Sequence, residues 1–374
     1  MIMRNTLCNI AVLAALAAGC SAVSPLENEG LDDIIVHYGE DVPVESITLG
    51  TDVLELTKGQ TVLLEATVNP SGTEVEWTST DPSVAWVSGG TVGAASRGEA
   101  IIVARAGVRT AQCKVTVTAV AQSETIKVKS PSMGTEIETI VVVPGIATGR
   151  NPVKCPTVYL LHGAYGKPEH WYRVCPELNE LADRYGFIFV IPDGAMSWYM
   201  DSPVDASIRY ETFTSIELVD YIDNCYPTIP KREKRAITGL SMGGHGSMYN
   251  ALKHTDTFGA VGSMSGCLDF RPLEVLYGIL DPVLGSHETH MDEWLQYTAI
   301  GQIPYIKDGE IAIIVDCGSE DFILEGTTLF HDALVAAGIS HSYELRPGIH
   351  DDDYWHGSIP KHLDFFQNYF NLNE

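Results

Sequence analysis

Three residues that together can cleave an ester follow one another through the C-terminal half of this 374-residue chain. Ser241 sits in Gly239-Leu240-Ser241-Met242-Gly243. A serine hydroxyl is a weak nucleophile until an exposed, sharp turn presents it beside a base, and glycines two before and two after let the chain double back. With 34 glycines in the chain such a match can arise by chance, so its partners must decide. Asp321 comes next, in Asp316-Cys317-Gly318-Ser319-Glu320-Asp321, and then His350, in Pro347-Gly348-Ile349-His350-Asp351. In that order His350 is the expected base, taking the Ser241 proton during attack and returning it to the leaving alcohol. Asp321 is expected to fix its tautomer and stabilise the imidazolium. Asp316 and His356 are the alternatives; Asp316 otherwise reads as a loop cap. His162 reads as shaping its own loop, and His245, His254, His331 and His341 as surface or helix-face residues. The backbone amides of Ala164 and Met242 are the expected oxyanion donors. Trp198 and Tyr199 are candidates for the acyl pocket or for packing. Asp351-Asp352-Asp353 reads as a solvated loop, and neither a metal nor a cofactor is expected.

The elements around these residues suit the chemistry. Ala236 and Ile237 lead an apolar strand into the serine, and Met242 to Lys253 reads as a helix whose Gly243, Gly244 and Gly246 permit close packing on that strand. Further apolar strands read at 157–161, 187–191, 261–264, 311–315 and 343–346, with helices at 177–185, 213–226, 329–337 and 361–370. An antiparallel start reads at 125–130 and 135–143. Continuous apolar strands alternating with helices imply a mostly parallel sheet covered on both faces. With the serine turn, the fold class is α/β hydrolase over residues 121–374, the acid following a late strand and the histidine the last one.

Residues 42–120 have short period-two strands and turn clusters such as Asn69-Pro70-Ser71-Gly72, an all-β sandwich. Gly59-Gln60-Thr61, Val75-Glu76-Trp77-Thr78-Ser79, Ser83-Val84-Ala85-Trp86-Val87 and Cys113-Lys114-Val115-Thr116-Val117 resemble a bacterial Ig-like domain of group 2. The resemblance implies a spacer or adhesion module with Trp77 in its core. Before it, Arg4 and the apolar run 10–18 form a signal segment, 1–19, that ends just before Cys20. Small residues before a cysteine resemble a bacterial lipobox, so Cys20 is expected to carry lipid, with 20–41 as a tether and the protein anchored at the cell envelope. A formal net charge of -26 disfavours nucleic acid and anionic lipid surfaces as partners. Export permits disulfides among the six later cysteines, though their spacing assigns none.

Tyr159-Leu160-Leu161-His162-Gly163, Trp171, Pro192-Asp193-Gly194, Ser197-Trp198-Tyr199, Gly239 to Gly244, Cys317 to Asp321 and His350-Asp351 with Trp355 resemble one esterase family. It includes esterase D, tributyrin esterases, feruloyl and acetylxylan esterases, and mycolyltransferases. The resemblance implies that Ser241, Asp321 and His350 are the triad and Ala164 and Met242 the oxyanion hole. Asp352 departs from the aromatic residue common there, which makes the site wall more polar. The expected function is an exported serine esterase that deacylates plant polysaccharide. Lipid or small-ester hydrolysis, acyl transfer, and non-catalytic glycan binding are the alternatives.

Overall fold

In the computed structural model, residues 43–149 and 151–373 are described. The signal segment, Cys20 and the whole tether lie outside the described residues.

The N-terminal region is all β: β1 (Ser46–Leu49), β2 (Val53–Thr57), β3 (Thr61–Leu63), β4 (Ala66–Asn69), β5 (Glu76–Ser79), β6 (Ala85–Ser88), β7 (Thr91–Ala94), β8 (Gly98–Ala106) and β9 (Arg109–Thr118). These strands pair as β1-β4, β2-β9-β8-β5 and β3-β7-β6. Alternate residues of β8 and β9, among them Ala100, Ile102, Cys113 and Val115, point into the buried core. Trp77 packs half-buried between the two apolar clusters of this region. Trp86 stays partly exposed with its ring lying on Gly93, its cross-strand partner, where a β-carbon would come within 2.1 Å of the ring.

The second region opens with β10 (Gln122–Ser130) and β11 (Thr135–Val143), followed by β12 (Thr157–Leu161), β13 (Ile188–Pro192), β14 (Arg235–Gly239), β15 (Ala260–Met264), β16 (Ala312–Gly318) and β17 (Ser342–Arg346). They form one sheet in the order β10-β11-β13-β12-β14-β15-β16-β17, antiparallel through the β11/β13 pair and parallel thereafter. Every residue of β12, β13, β14 and β15 is buried. Along β12, Val158 and Leu160 belong to one apolar cluster and Tyr159 and Leu161 to the other, so the strand's two faces serve two cores. That is why the strands read as unbroken apolar runs rather than alternating ones.

The helices are α1 (His170–Val174), α2 (Leu178–Tyr185), α3 (Tyr210–Thr212), α4 (Leu218–Cys225), α5 (Met242–Lys253), α6 (Tyr277–Leu284), α7 (His287–Trp294), α8 (Leu324–Ala337) and α9 (Asp352–Leu372), with a π turn, Phe213–Glu217, joining α3 to α4. Among the helices that the sequence indicates, three start earlier than expected, and α1, α6 and α7 have no counterpart there. The α3–α4 run starts three residues before Phe213, and α8 starts five before Leu329. The last helix starts nine residues before Lys361 and continues through Pro360. Asp351 causes the early start: its carboxylate accepts the Tyr354 amide at 2.9 Å, and Asp352 and Asp353 place negative charge in the first turn, where the helix dipole favours it. The three aspartates therefore begin a helix rather than forming a solvated loop. Cys113, Cys155, Cys175, Cys225, Cys267 and Cys317 are all free thiols.

Candidate active site

Ser241 sits between β14 and α5 at φ 55, ψ -120, a strained backbone for a side chain with a β-carbon. Close backbone packing holds it there: a β-carbon on Gly243 would lie 2.2 Å from the Leu161 carbonyl oxygen, and one on Gly239 would lie 2.3 Å from that of Gly243. The Ser241 Oγ is 2.8 Å from His350 Nε2. On the far side of the ring, His350 Nδ1 lies 3.0 and 2.9 Å from the two carboxylate oxygens of Asp321. A carboxylate accepts only, so Nδ1 carries the proton and Nε2 is free to accept from the serine hydroxyl.

Two loops are tied together to make this contact. The Ser319 amide donates to the Arg346 carbonyl at 2.9 Å and the Glu320 amide to that of Gly348 at 3.0 Å, so the acid loop after β16 runs against the histidine loop after β17. Trp355 and Phe322 flank the imidazole edge-on, with ring centroids 5.0 and 4.7 Å away. Asp316 lies away from the histidine, buried inside β16, where it accepts from Ser358 and Arg346. It anchors α9 and does not cap the loop. His356 projects outward to Glu177, at 2.8 Å. His254 contacts Glu211, and His331 pairs with His341.

The loop after β12 supplies the other wall. Ala164 and Met242 both border the cavity beside Ser241. His162 shapes this loop: its ring spans the Gly163 carbonyl, at 2.8 Å from Nδ1, and the Gly194 amide, at 2.9 Å from Nε2. Trp198 borders the cavity while remaining almost wholly buried. Tyr199 does not border it, and its assignment to the acyl pocket is corrected. Its ring occupies the space where β-carbons on Gly194 and Gly246 would stand, and its hydroxyl accepts the His162 amide at 3.0 Å and donates to the His162 carbonyl at 3.2 Å. Tyr199 therefore supports the loop after β12 from behind.

The cavity over Ser241 has a volume of about 700 Å³ and two unlike walls. Trp198, Val275, Leu276 and Ile279 make one of them apolar. The last three belong to residues 275–279, which the sequence reading left unassigned; Leu276, Ile279, Leu280 and Val283, at helical spacing, were the available signal. His170, Arg173 and Asp352 make the other wall polar. Arg173 Nε donates to Asp352 at 2.5 Å, and His170 Nε2 lies 2.8 Å from its other oxygen. Burial opposes ionisation of Asp352, but these donors outweigh it and hold the carboxyl below its usual range. Beyond this wall a second hollow of about 530 Å³ continues past Ala164 and the exposed Tyr165 to Lys167 and Glu169.

His245 also differs from the sequence reading: it is fully buried, stacked on Tyr249 and edge-on to Trp198. Burial pushes its pKa down to about 4. Among the described residues, no group of three or more His, Cys, Asp or Glu side chains is placed to hold a metal ion.

The family model described as "Putative esterase" matches residues 130–366. The chain belongs to this esterase family. Residues 43–130 match the bacterial Ig-like domain (group 2), although β10 pairs into the esterase sheet. An acetyl esterase of Caldicellulosiruptor saccharolyticus is 29% identical over 215 residues, covering 54% of this chain and 80% of that protein. An S-formylglutathione hydrolase of Bos taurus is 25% identical, covering 49% of this chain and 71% of that protein. A solved ferulic acid esterase superposes with a TM-score of 0.57 at 26% identity, covering 67% of this chain and 99% of that one. The esterase is thus a carboxylic ester hydrolase with an α/β-hydrolase fold and an N-terminal Ig-like domain.

Proposed function

We propose that this esterase is an exported, lipid-anchored enzyme that removes acetyl or hydroxycinnamoyl groups from plant polysaccharide through an acyl-Ser241 intermediate. The observation that carries the proposal is the continuous Ser241–His350–Asp321 hydrogen-bond chain between an apolar and a polar wall. In the first half-reaction the Ser241 Oγ attacks the ester carbonyl while His350 Nε2 takes its proton. The oxyanion is held by the amides of Ala164 and Met242, and the second sits at the N-terminus of α5, where the helix dipole favours negative charge. As the C–O bond breaks, the imidazolium returns the proton to the leaving alcohol oxygen. Water then repeats the sequence on the acyl-serine, releasing the carboxylic acid. Asp321 keeps the imidazole in the reactive tautomer throughout.

The walls suggest how a substrate would lie. The apolar side suits an acyl group, whereas the polar side and the hollow behind it offer hydrogen-bonding groups and the exposed Tyr165 ring to a sugar alcohol. The similarity to an acetyl esterase and to a ferulic acid esterase supports the same acyl groups. The lipobox-like sequence before Cys20 and the Ig-like domain suit work on a polymer outside the cell. Similarity to S-formylglutathione hydrolase favours a second reading, hydrolysis of a small ester or thioester. Rates on methyl ferulate, acetylated xylan, tributyrin and S-formylglutathione separate these readings. The first requires kcat/KM to be highest on methyl ferulate or acetylated xylan; a clear preference for either of the others overturns it.

A further inference from the structure

On the side of the sheet covered by α9, the strands that lead to Asp321 and His350 are joined by hydrogen bonds through Ser358, and the strand that leads to Ser241 is hydrogen-bonded to the same helix through His362. Thr238, three residues before the serine, lies with its Oγ1 2.9 Å from His362 Nδ1. The His362 ring is fully buried over Gly262, where a β-carbon would meet Nδ1 at 2.2 Å, and its Nε2 lies 3.6 Å from Asp316 Oδ1. Asp316, five residues before Asp321, accepts at its other oxygen from the Ser358 hydroxyl and from Arg346 Nη2, the latter at 3.4 Å. Arg346, four residues before His350, also donates to the Ser358 hydroxyl and to the Tyr354 carbonyl, at 2.7 Å, with its guanidinium 3.6 Å above the Tyr354 ring. Thr238, Asp316, Ser358 and His362 are each at most 2% exposed.

The geometry points to Asp316 and Arg346 as positioning residues for catalysis, an inference that rests on Ser241, Asp321 and His350 being the catalytic triad. His350 stands on the short connection between β17 and α9. Arg346 occupies one end of that connection and binds the Tyr354 carbonyl at the other, so a single side chain closes the loop that carries the base. Asp316 fixes that guanidinium to the strand that leads to the acid. The network touches neither substrate nor reacting atoms and acts only through the His350–Asp321 geometry. A displacement of about 1 Å at such a contact can cost a hundredfold in rate. A buried charge pair with one member removed is also strongly destabilising, so mild substitutions are the informative ones.

The test compares purified full-length Asp316→Asn, Arg346→Lys and Ser358→Ala with the wild type and Ser241→Ala, using p-nitrophenyl acetate well below each variant's melting temperature. Asp316→Asn is expected to lose about tenfold or more in kcat with KM changed less than about threefold, and Arg346→Lys and Ser358→Ala to lose less. The acid limb of kcat/KM is expected to move to lower pH in the same order, because a looser Asp321 contact stabilises the His350 imidazolium less. Wild-type kcat and an unmoved acid limb in the folded variants, beside an inactive Ser241→Ala, overturn the positioning role. So does a loss of kcat with the acid limb unmoved. Full activity in Ser241→Ala instead overturns the triad on which the inference stands.

Discussion

Ser241 is presented at φ 55 because the chain around it is too close for side chains, and that closeness is testable at a single atom. Gly243→Ala would drive a β-carbon to 2.2 Å from the Leu161 carbonyl oxygen, a backbone atom that cannot swing aside. The expected cost is about 1–3 kcal/mol in denaturant unfolding, with esterase activity falling alongside. His245 gives the protein a second residue-scale signature. Its pKa is pushed from an ordinary 6.5 to about 4 in the folded state, so as pH falls between those values the unfolded chain takes up a proton that the folded one refuses. Stability from this group is therefore present above about 6.5 and lost on acidification, by roughly 2 kcal/mol at pH 5. His245→Gln should show a smaller drop in melting temperature between pH 7 and pH 5 than the wild type; an equal drop contradicts the assignment. Ser241, Asp321 and His350 could be read from chain order and strand ends, with Asp316 and His356 as rivals that the structure places on other partners. Tyr199 was not, because Trp198 and Tyr199 both adopt φ 57, and the turn sends one ring to the cavity and the other behind the loop after β12.

The central strands were legible as elements because burial on both faces left them uniformly apolar, and α5 because glycine spacing and the serine turn coincide. The start of α9 was missed, since three consecutive aspartates look solvated until one of them is seen capping a helix. Residues 275–279 were missed for a different reason: this segment carries no motif, only a helical repeat of apolar positions. Its role makes a prediction at the element scale. Val275 is exposed at the cavity rim, so Val275→Asp should fold normally while placing charge on the proposed acyl wall. We expect kcat/KM on methyl ferulate to fall about tenfold more than on p-nitrophenyl acetate. Equal losses on the two substrates would place the acyl group elsewhere.

Across the whole molecule, the esterase sheet and the Ig-like strands are separate hydrogen-bonded systems, and β10 is the strand at which the chain passes into the esterase sheet. The proposed anchor, Cys20, precedes both regions in the sequence. Cys20→Ser is expected to move the protein from the membrane pellet to the soluble fraction of producing cells without changing esterase kcat, and retention in the pellet would contradict lipidation. The proposed catalytic chemistry converges on one bond, from the acyl carbon to Ser241 Oγ. Its most direct test is kcat/KM of Ser241→Ala on p-nitrophenyl acetate beside the wild type. A loss of roughly 10⁴-fold or more is predicted; hydrolysis by the variant at a rate comparable with the wild type would contradict the account.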